Sequence, residues 1–168
     1  MHSQTAQVDD IRLVALPSAV NCTDIFVRFS LTEWSLQMLM DRAIGAAQRL
    51  VKAVVDRTDP RSPGFVTVRV RLTGDCLVIE VEDDEDPPPN AAAPAVDGLR
   101  TGLVPLDGRG KVVWCELPLP SGVSAQQVQL PRRDRRRSVV AEQPEGEPPA
   151  VDPELVERVL VGLNRREW

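Results

Sequence analysis

The chain has 168 residues, 42% of them hydrophobic, and a formal net charge of −5. This length supports one hydrophobic core of ordinary size with a tail, and hardly two full domains. The negative charge gives no general attraction to nucleic acid, and no apolar run is long enough to cross a bilayer. Three widely spaced cysteines, Cys22, Cys76 and Cys115, lack the spacing of metal ligands. We therefore expect a cytoplasmic protein with reduced cysteines, without binding to membranes or nucleic acid.

The first predicted elements are a strand and a helix, after a flexible start at residues 1–9. Residues 11–16 are mostly apolar and end at Pro17, which is typical of a strand closed by proline. Ser18 is a helix-capping residue type, and the apolar residues after it recur at three- and four-residue spacing. This spacing predicts that one helix face packs on the core. The predicted face consists of Cys22, Ile25, Phe26 and Phe29.

A longer helix and a hairpin follow. Ser35 is positioned to cap the helix, whose apolar residues keep a 3.6-residue period until Pro60 stops it. Apolar and polar residues then alternate over residues 66–72 and again over residues 77–81, with turn residues at 73–75 between them. This alternation predicts an antiparallel hairpin with one buried face.

The rest of the chain holds a loop, a last strand and a tail. Residues 83–102 are acidic and then rich in proline and alanine, so we predict a loop. A strand is predicted at residues 111–117, and the core is expected to end near Pro120. Residues 121–151, basic and then acidic and proline-rich, are expected to be disordered. Residues 152–168 are predicted to form an amphipathic helix. Its apolar stripe consists of Leu155, Val156, Val159, Leu160 and Leu163.

The order of these elements predicts an α+β fold. Residues 10–120 are expected to form a two-layer sandwich, with the helices packed on one face of a mixed β-sheet. The C-terminal helix is expected either to fold onto this domain or to bind another protein. In the linker, Ser138 follows three arginines, a pattern that basophilic kinases accept. Ser138 is therefore a candidate modification site, although a plain basic tail segment is the more ordinary interpretation.

Four segments, in the same order along the chain, are similar to segments of one known family. Residues 26–34 (Phe-Val-Arg-Phe-Ser-Leu-Thr-Glu-Trp) resemble its first helix, and residues 49–57 (Arg-Leu-Val-Lys-Ala-Val-Val-Asp-Arg) resemble its second helix, the N box. Residues 77–83 resemble the strand that leads into its adenine-binding box, and residues 110–118 (Gly-Lys-Val-Val-Trp-Cys-Glu-Leu-Pro) resemble its closing strand. The family is that of the GHKL (Bergerat-fold, histidine-kinase-like) ATPases, in its branch of anti-sigma-factor serine kinases. The resemblance covers residues 13–120.

The resemblance also identifies replaced residues in the nucleotide site. The family's general-base glutamate falls on Arg49, and its magnesium-binding asparagine falls on Ala53. The adenine-reading aspartate falls on Asp83, which is retained, but the two glycines after it fall on Glu85 and Pro87. The family's second glycine-rich box and its lid helix have no counterpart. The resemblance therefore implies a degenerate member without catalytic residues, metal or cofactor, in which Asp83 alone could still serve ATP binding.

These replacements favour a non-catalytic regulatory protein that acts by binding other proteins. In the resembled family the partners are a sigma factor and an anti-anti-sigma protein, and dimers are frequent, so the resemblance implies these partners and allows a homodimer. The first helix around Arg28 and Trp34 is then one candidate contact. The C-terminal helix offers Leu155, Val159 and Leu163 as another. Two alternatives stay open, namely an ATP-binding serine/threonine kinase with an atypical nucleotide site and a structural subunit of a larger regulator.

Overall fold

The structure, a computed structural model, describes residues 5–125, with side chains from residue 7 onward. The strands are β1 (Thr5–Val14), β2 (Phe65–Thr73), β3 (Cys76–Asp83), β4 (Arg100–Pro105) and β5 (Lys111–Pro118), and the helices are α1 (Ser18–Glu33) and α2 (Met40–Val55). A short 3₁₀ turn, Gln37–Leu39, precedes α2. The predicted tail lies outside the described residues. It includes Ser138, Leu155, Val159 and Leu163.

The strands form one sheet in the order β1-β2-β3-β5-β4, and every neighbouring pair is antiparallel. The prediction of a mixed sheet was therefore wrong, while the α+β class is confirmed. The reason lies in the connections. After β1, two helices bring the chain back to the end where β1 finished, so that Phe65 pairs with Val14. The strands β2 and β3 form a hairpin, as do β4 and β5, and β5 also runs antiparallel to β3. A parallel pair would need a crossover connection between opposite strand ends.

The hydrophobic core lies between the two helices and one face of the sheet. Val66, Val68, Val70 and Leu72 of β2 are fully buried, while the residues between them are partly exposed. This two-residue alternation is what a strand with one covered face requires. Helix α2 is amphipathic as predicted, with apolar residues on the side that meets the sheet. Its buried residues are Ala43, Ile44, Ala46, Ala47, Leu50, Val51 and Val54.

Helix α1 packs on the core with a different face from the predicted one. Ile25 and Phe29 are 70% and 64% exposed. The packed face is instead made largely of small side chains, which allow neighbouring elements to approach closely. Thr23 is tolerated there because its hydroxyl donates a hydrogen bond to the Ala19 carbonyl at 2.7 Å. Ile25 and Phe29 therefore point away from the core, whereas Phe26 of the predicted face is partly buried and packs against it. The buried residues are Ala19, Thr23, Val27, Ser30 and Leu31.

Both ends of the described domain extend further than predicted. Strand β1 begins at Thr5, so the prediction that residues 1–9 are flexible was wrong for residues 5–9. At the other end, the Ala125 amide donates a hydrogen bond to the Gly74 carbonyl at 2.9 Å, and Ala125 is buried. The core therefore continues past Pro120.

Two predicted helix caps do not form, and one strand was not predicted. Helix α1 has Pro17 at its N-cap without a side-chain bond, and Ser35 has a positive φ of 56° in the connection before the 3₁₀ turn. Strand β4 begins at the end of the predicted loop at residues 83–102 and continues to Pro105. It is a short edge strand that contains a glycine and a proline, so its apolar pattern is weak.

Candidate functional site

The retained aspartate, Asp83, ends β3 and pairs in register with Lys111 at the start of β5. Both side chains lie on the helix-facing side of the sheet. Lys111 Nζ donates a hydrogen bond to Asp83 Oδ1 at 2.8 Å, and the two side chains are only 4% and 3% exposed. The two residues therefore form a buried ion pair, in which the chain's own lysine neutralises the one carboxylate that the nucleotide site would retain.

Backbone groups tie the acidic turn after Asp83 to the start of β5. The Glu85 amide donates to Asp83 Oδ1 at 2.9 Å. A cation site needs free oxygen ligands, and here several oxygens already accept bonds from the chain. Within residues 5–125, no group of three or more histidine, cysteine or acidic side chains is arranged to hold a metal ion. The other bonds join Lys111 Nζ to the Glu85 carbonyl (3.1 Å), Arg109 Nε to the Asp84 carbonyl (2.8 Å) and the Gly110 amide to Asp86 Oδ1 (2.8 Å).

Gly110 permits the close approach between this turn and β5. Its φ is +99°, a backbone conformation that other residues rarely adopt, and a Cβ at this position would overlap the Asp83 carbonyl oxygen. The glycine therefore allows β5 to begin directly beside Asp83, which brings Lys111 into contact with the carboxylate.

One oxygen of the Asp83 carboxylate has no partner. Asp83 Oδ2 is buried and accepts no hydrogen bond from any described residue. A buried oxygen in this state loses its hydration without compensation. The carboxylate therefore keeps one unused acceptor, enclosed by the protein.

The two positions that correspond to the N box of the resembled family lie one helical turn apart on α2. Arg49 is exposed and Ala53 is half-buried. Magnesium in phosphate-transfer sites is held by oxygen ligands, and neither side chain carries an oxygen. Residues 84–99 contain no helix or strand, and three of their apolar side chains pack against the core. The described residues thus place no lid helix at this position. The packed side chains are Ala93, Val96 and Leu99.

The candidate contact residues on α1 separate into one buried and one exposed residue. Trp34 is 2% exposed and belongs to the core, so it was wrongly predicted as a partner contact. Its indole is one of the largest fully buried side chains. Arg28 is 56% exposed and forms an ion pair with Asp24 at 2.9 Å. The outward side of the helix, which we call the α1 surface, consists of Ile25, Arg28, Phe29 and Thr32.

All three cysteines are free. Burial raises the pKa of the Cys115 thiol to about 12. Burial also raises the pKa of Cys76, with a further contribution from the neighbouring Asp75 carboxylate. Because thiolates are the reactive form of cysteine, Cys115 is a packing residue without nucleophilic character at neutral pH.

The chain matches no protein-family model and no curated protein sequence. Neither described helix is long and apolar enough to cross a membrane. The resemblance to a known family therefore rests on the four segments described above.

Proposed function

We propose that this protein is a non-catalytic regulatory relative of the anti-sigma-factor kinases, and that it acts in the bacterial cytoplasm by binding a sigma factor or an anti-anti-sigma protein. The observation that carries the proposal is the buried ion pair between Asp83 and Lys111. In the resembled family, the aspartate at this position must accept a hydrogen bond from adenine. Here the same carboxylate is engaged by a lysine of its own chain, so that a nucleotide would have to compete with a buried salt bridge.

The N-box positions support the same conclusion. Phosphoryl transfer depends on a metal ion that neutralises the phosphates and on a residue that positions the nucleophile. Arg49 and Ala53 supply neither a metal ligand nor a carboxylate base. The absence of both a metal ligand and a base at these positions favours a protein whose fold serves to bind other proteins and not to turn over a nucleotide.

The α1 surface supports the binding function. Large exposed apolar side chains one helical turn apart are common anchors of protein interfaces, where aromatic residues and arginine contribute most of the affinity. Ile25 and Phe29 have this spacing, and Arg28 lies between them. Because Phe29 is 64% exposed, its ring can enter a pocket on a partner without any rearrangement of the core. We propose that this surface contacts the sigma factor or its antagonist.

One observation favours the alternative, an ATP-binding serine/threonine kinase with an atypical site. Asp83 Oδ2 is an unused acceptor, which an adenine amino group could reach if the acidic turn around it opened. The alternative also requires a metal site, and none of the described residues forms one.

Replacing Phe29 with aspartate tests the proposed partner surface. The full-length protein and the purified sigma factors and anti-anti-sigma proteins of the same genome would be paired by biolayer interferometry. We expect one of them to bind, and the Phe29→Asp variant to bind at least about 10-fold more weakly, because an interface anchor contributes more than about 1.4 kcal/mol. Met38→Asp is the matched control, since Met38 is 58% exposed but lies outside α1. Equal affinities of the wild type and Phe29→Asp, or no binding to any of these proteins, would exclude the proposed contact.

A further inference from the structure

The outward side of α2 carries a row of exposed residues, here called the α2 ridge. These residues follow one another at three- and four-residue spacing, so they lie along one side of the helix. The buried residues of α2 face the sheet instead. The ridge is therefore a solvent-facing surface of the helix layer. It consists of Arg42, Gly45, Arg49 and Lys52.

The fold of the domain does not require the glycine at the centre of this ridge. Glycine inside a helix lowers stability relative to alanine, because its backbone has more freedom to lose on folding. At Gly102 and Gly110 a Cβ would overlap neighbouring atoms of the domain, which excludes a side chain there. At Gly45 a Cβ would meet no atom of the described residues within 4 Å, and the backbone has no positive φ. The missing side chain thus leaves room for a molecule outside the domain.

Two arginines flank Gly45, and both have free charges. Arg42 and Arg49 are exposed, and within residues 5–125 neither forms an ion pair. The remaining cation of the ridge, Lys52, is already held by Asp56 at 2.7 Å. The free positive charge of the ridge is therefore concentrated on the two residues on either side of the glycine.

The arrangement of the ridge fits a helix that carries carboxylates. Arginine presents its N–H donors in a planar fork that matches a carboxylate, so Arg42 and Arg49 can each hold one. Their seven-residue separation corresponds to about 10 Å along the helix axis. Two acidic residues seven positions apart on a partner helix have the same separation. Between them, Gly45 would allow the two helix axes to approach to about 8 Å, the lower end of helix packing distances.

Nucleic acid fits the ridge less well than an acidic helix does. Its affinity for proteins depends on neutralising many phosphates at once, whereas the ridge offers two free cations. The whole chain also has a net charge of −5. The only carboxylate of α2, Asp41, lies beside the ridge, because successive residues of a helix point in different directions. It therefore leaves the space over Gly45 open to an acidic side chain.

We propose that the α2 ridge binds a helix of another protein that carries two acidic residues seven positions apart, with closest approach at Gly45. The proposal deepens the proposed regulatory function by naming the chemistry of the partner's surface, and it rests on that function for the identity of the partner. Gln48 Nε2 donates a hydrogen bond to the Val20 carbonyl at 3.3 Å, so α1 and α2 lie side by side. The α2 ridge and the α1 surface thus belong to the same layer, and one partner can contact both.

Selection from a phage-displayed library of random peptides tests the ridge without any sigma factor. Peptides of about 20 residues are long enough to form a helix. The library would first be depleted on the full-length Arg49→Glu variant and then selected on the full-length wild type, so that peptides dependent on Arg49 remain. We expect these peptides to contain two acidic residues seven positions apart. By fluorescence anisotropy, synthetic copies should bind Arg42→Glu and Arg49→Glu at least about 10-fold more weakly than the wild type, because each variant repels one carboxylate.

Gly45→Gln distinguishes a contact from a structural role. Glutamine forms helices better than glycine, and a Cβ at this position has free space, so we expect the variant to unfold at a temperature about 3 °C higher. The longer side chain would hold the partner helix away, so the selected peptides should bind at least about 10-fold more weakly. Selected peptides that bind Gly45→Gln as tightly as the wild type would overturn the proposed helix contact.

Arg57→Glu is the matched control for charge. Arg57 is exposed, lies outside the ridge and forms no ion pair within residues 5–125, so this variant should bind the peptides as the wild type does. Equal losses in Arg57→Glu and Arg49→Glu would overturn the proposal, because they would indicate attraction by net charge alone. A depleted library without binders, or binders without paired acidic residues, would overturn it as well.

Two further measurements separate this proposal from its neighbours. Double-stranded DNA that binds the wild type but not Arg49→Glu would overturn the proposal, by assigning the ridge to nucleic acid. Selected peptides with the expected acidic pair, in a protein that binds no sigma factor or anti-anti-sigma protein, would support the ridge as a site for acidic helices while excluding the partners named above.

Discussion

Replacing Lys111 with methionine is expected to destabilise the folded domain by about 3–5 kcal/mol. Methionine keeps much of the volume of the lysine side chain but removes the charge that neutralises Asp83. The carboxylate is 3% exposed, so water cannot replace the lost partner, and the Glu85 carbonyl loses a hydrogen bond as well. Urea unfolding followed by tryptophan fluorescence measures this difference.

The chain provides a matched control for this experiment, since it contains only one other lysine. Lys52 pairs with Asp56 at a similar distance, 2.7 Å, but the two side chains are 64% and 58% exposed. Lys52→Met is expected to cost less than about 1 kcal/mol, because water replaces an exposed ion pair at little cost. Equal losses of unfolding free energy in the two variants would show that the buried Asp83 carboxylate does not need Lys111 as a partner.

Replacing Gly110 with alanine is expected to destabilise the domain by about 3 kcal/mol or more. Two effects add at this position. The φ of +99° strains any residue with a side chain, and the new methyl group would overlap the Asp83 carbonyl oxygen. To relieve the overlap, β5 would have to move away from the end of β3, which would also lengthen the contact between Lys111 and Asp83. Thermal or urea unfolding measures the loss.

Gly108→Ala separates the two effects. Gly108 has a similar φ of +95°, but a Cβ there would meet no atom within 4 Å. The Gly108→Ala substitution should lower the free energy of unfolding only by the conformational strain, about 1–2 kcal/mol. If Gly110→Ala costs no more than Gly108→Ala, the close approach between the two strands is not a determinant of stability.

The elements with strong periodicity were predictable from the sequence. Helix α2 and the hairpin of β2 and β3 show apolar residues at regular spacing, so their type and their buried faces follow from the pattern. Helix α1 was placed correctly but oriented wrongly. Ile25 and Phe29 recur at helical spacing on the outside, while Phe26 and small residues such as Ala19 and Thr23 pack on the core. Close packing between two layers can favour small side chains over large ones. A sequence pattern weighted by hydrophobicity gives small side chains the lowest weight, so it does not identify such a packed face.

The candidate site was only partly predictable for a related reason. The resemblance singled out Asp83 but not its partner, because Lys111 is 28 residues away and the contact depends on the register between β3 and β5. One signal was available. Gly110 precedes Lys111 at the start of a predicted strand, and a glycine there is consistent with a close approach of two backbones. For Trp34 the sequence left both a packing role and a partner contact open, since tryptophan is common both in cores and in interfaces.

Calorimetric titration of the full-length protein with Mg-ATP and with Mg-ADP tests the central claim most directly. The claim is that the buried pair of Asp83 and Lys111, together with Arg49 and Ala53, leaves no working nucleotide site. We predict no heat of binding up to millimolar nucleotide, under conditions in which an active anti-sigma-factor kinase titrates normally. Saturable binding that Asp83→Asn abolishes, in a variant shown to be folded, would contradict the account and support the kinase alternative.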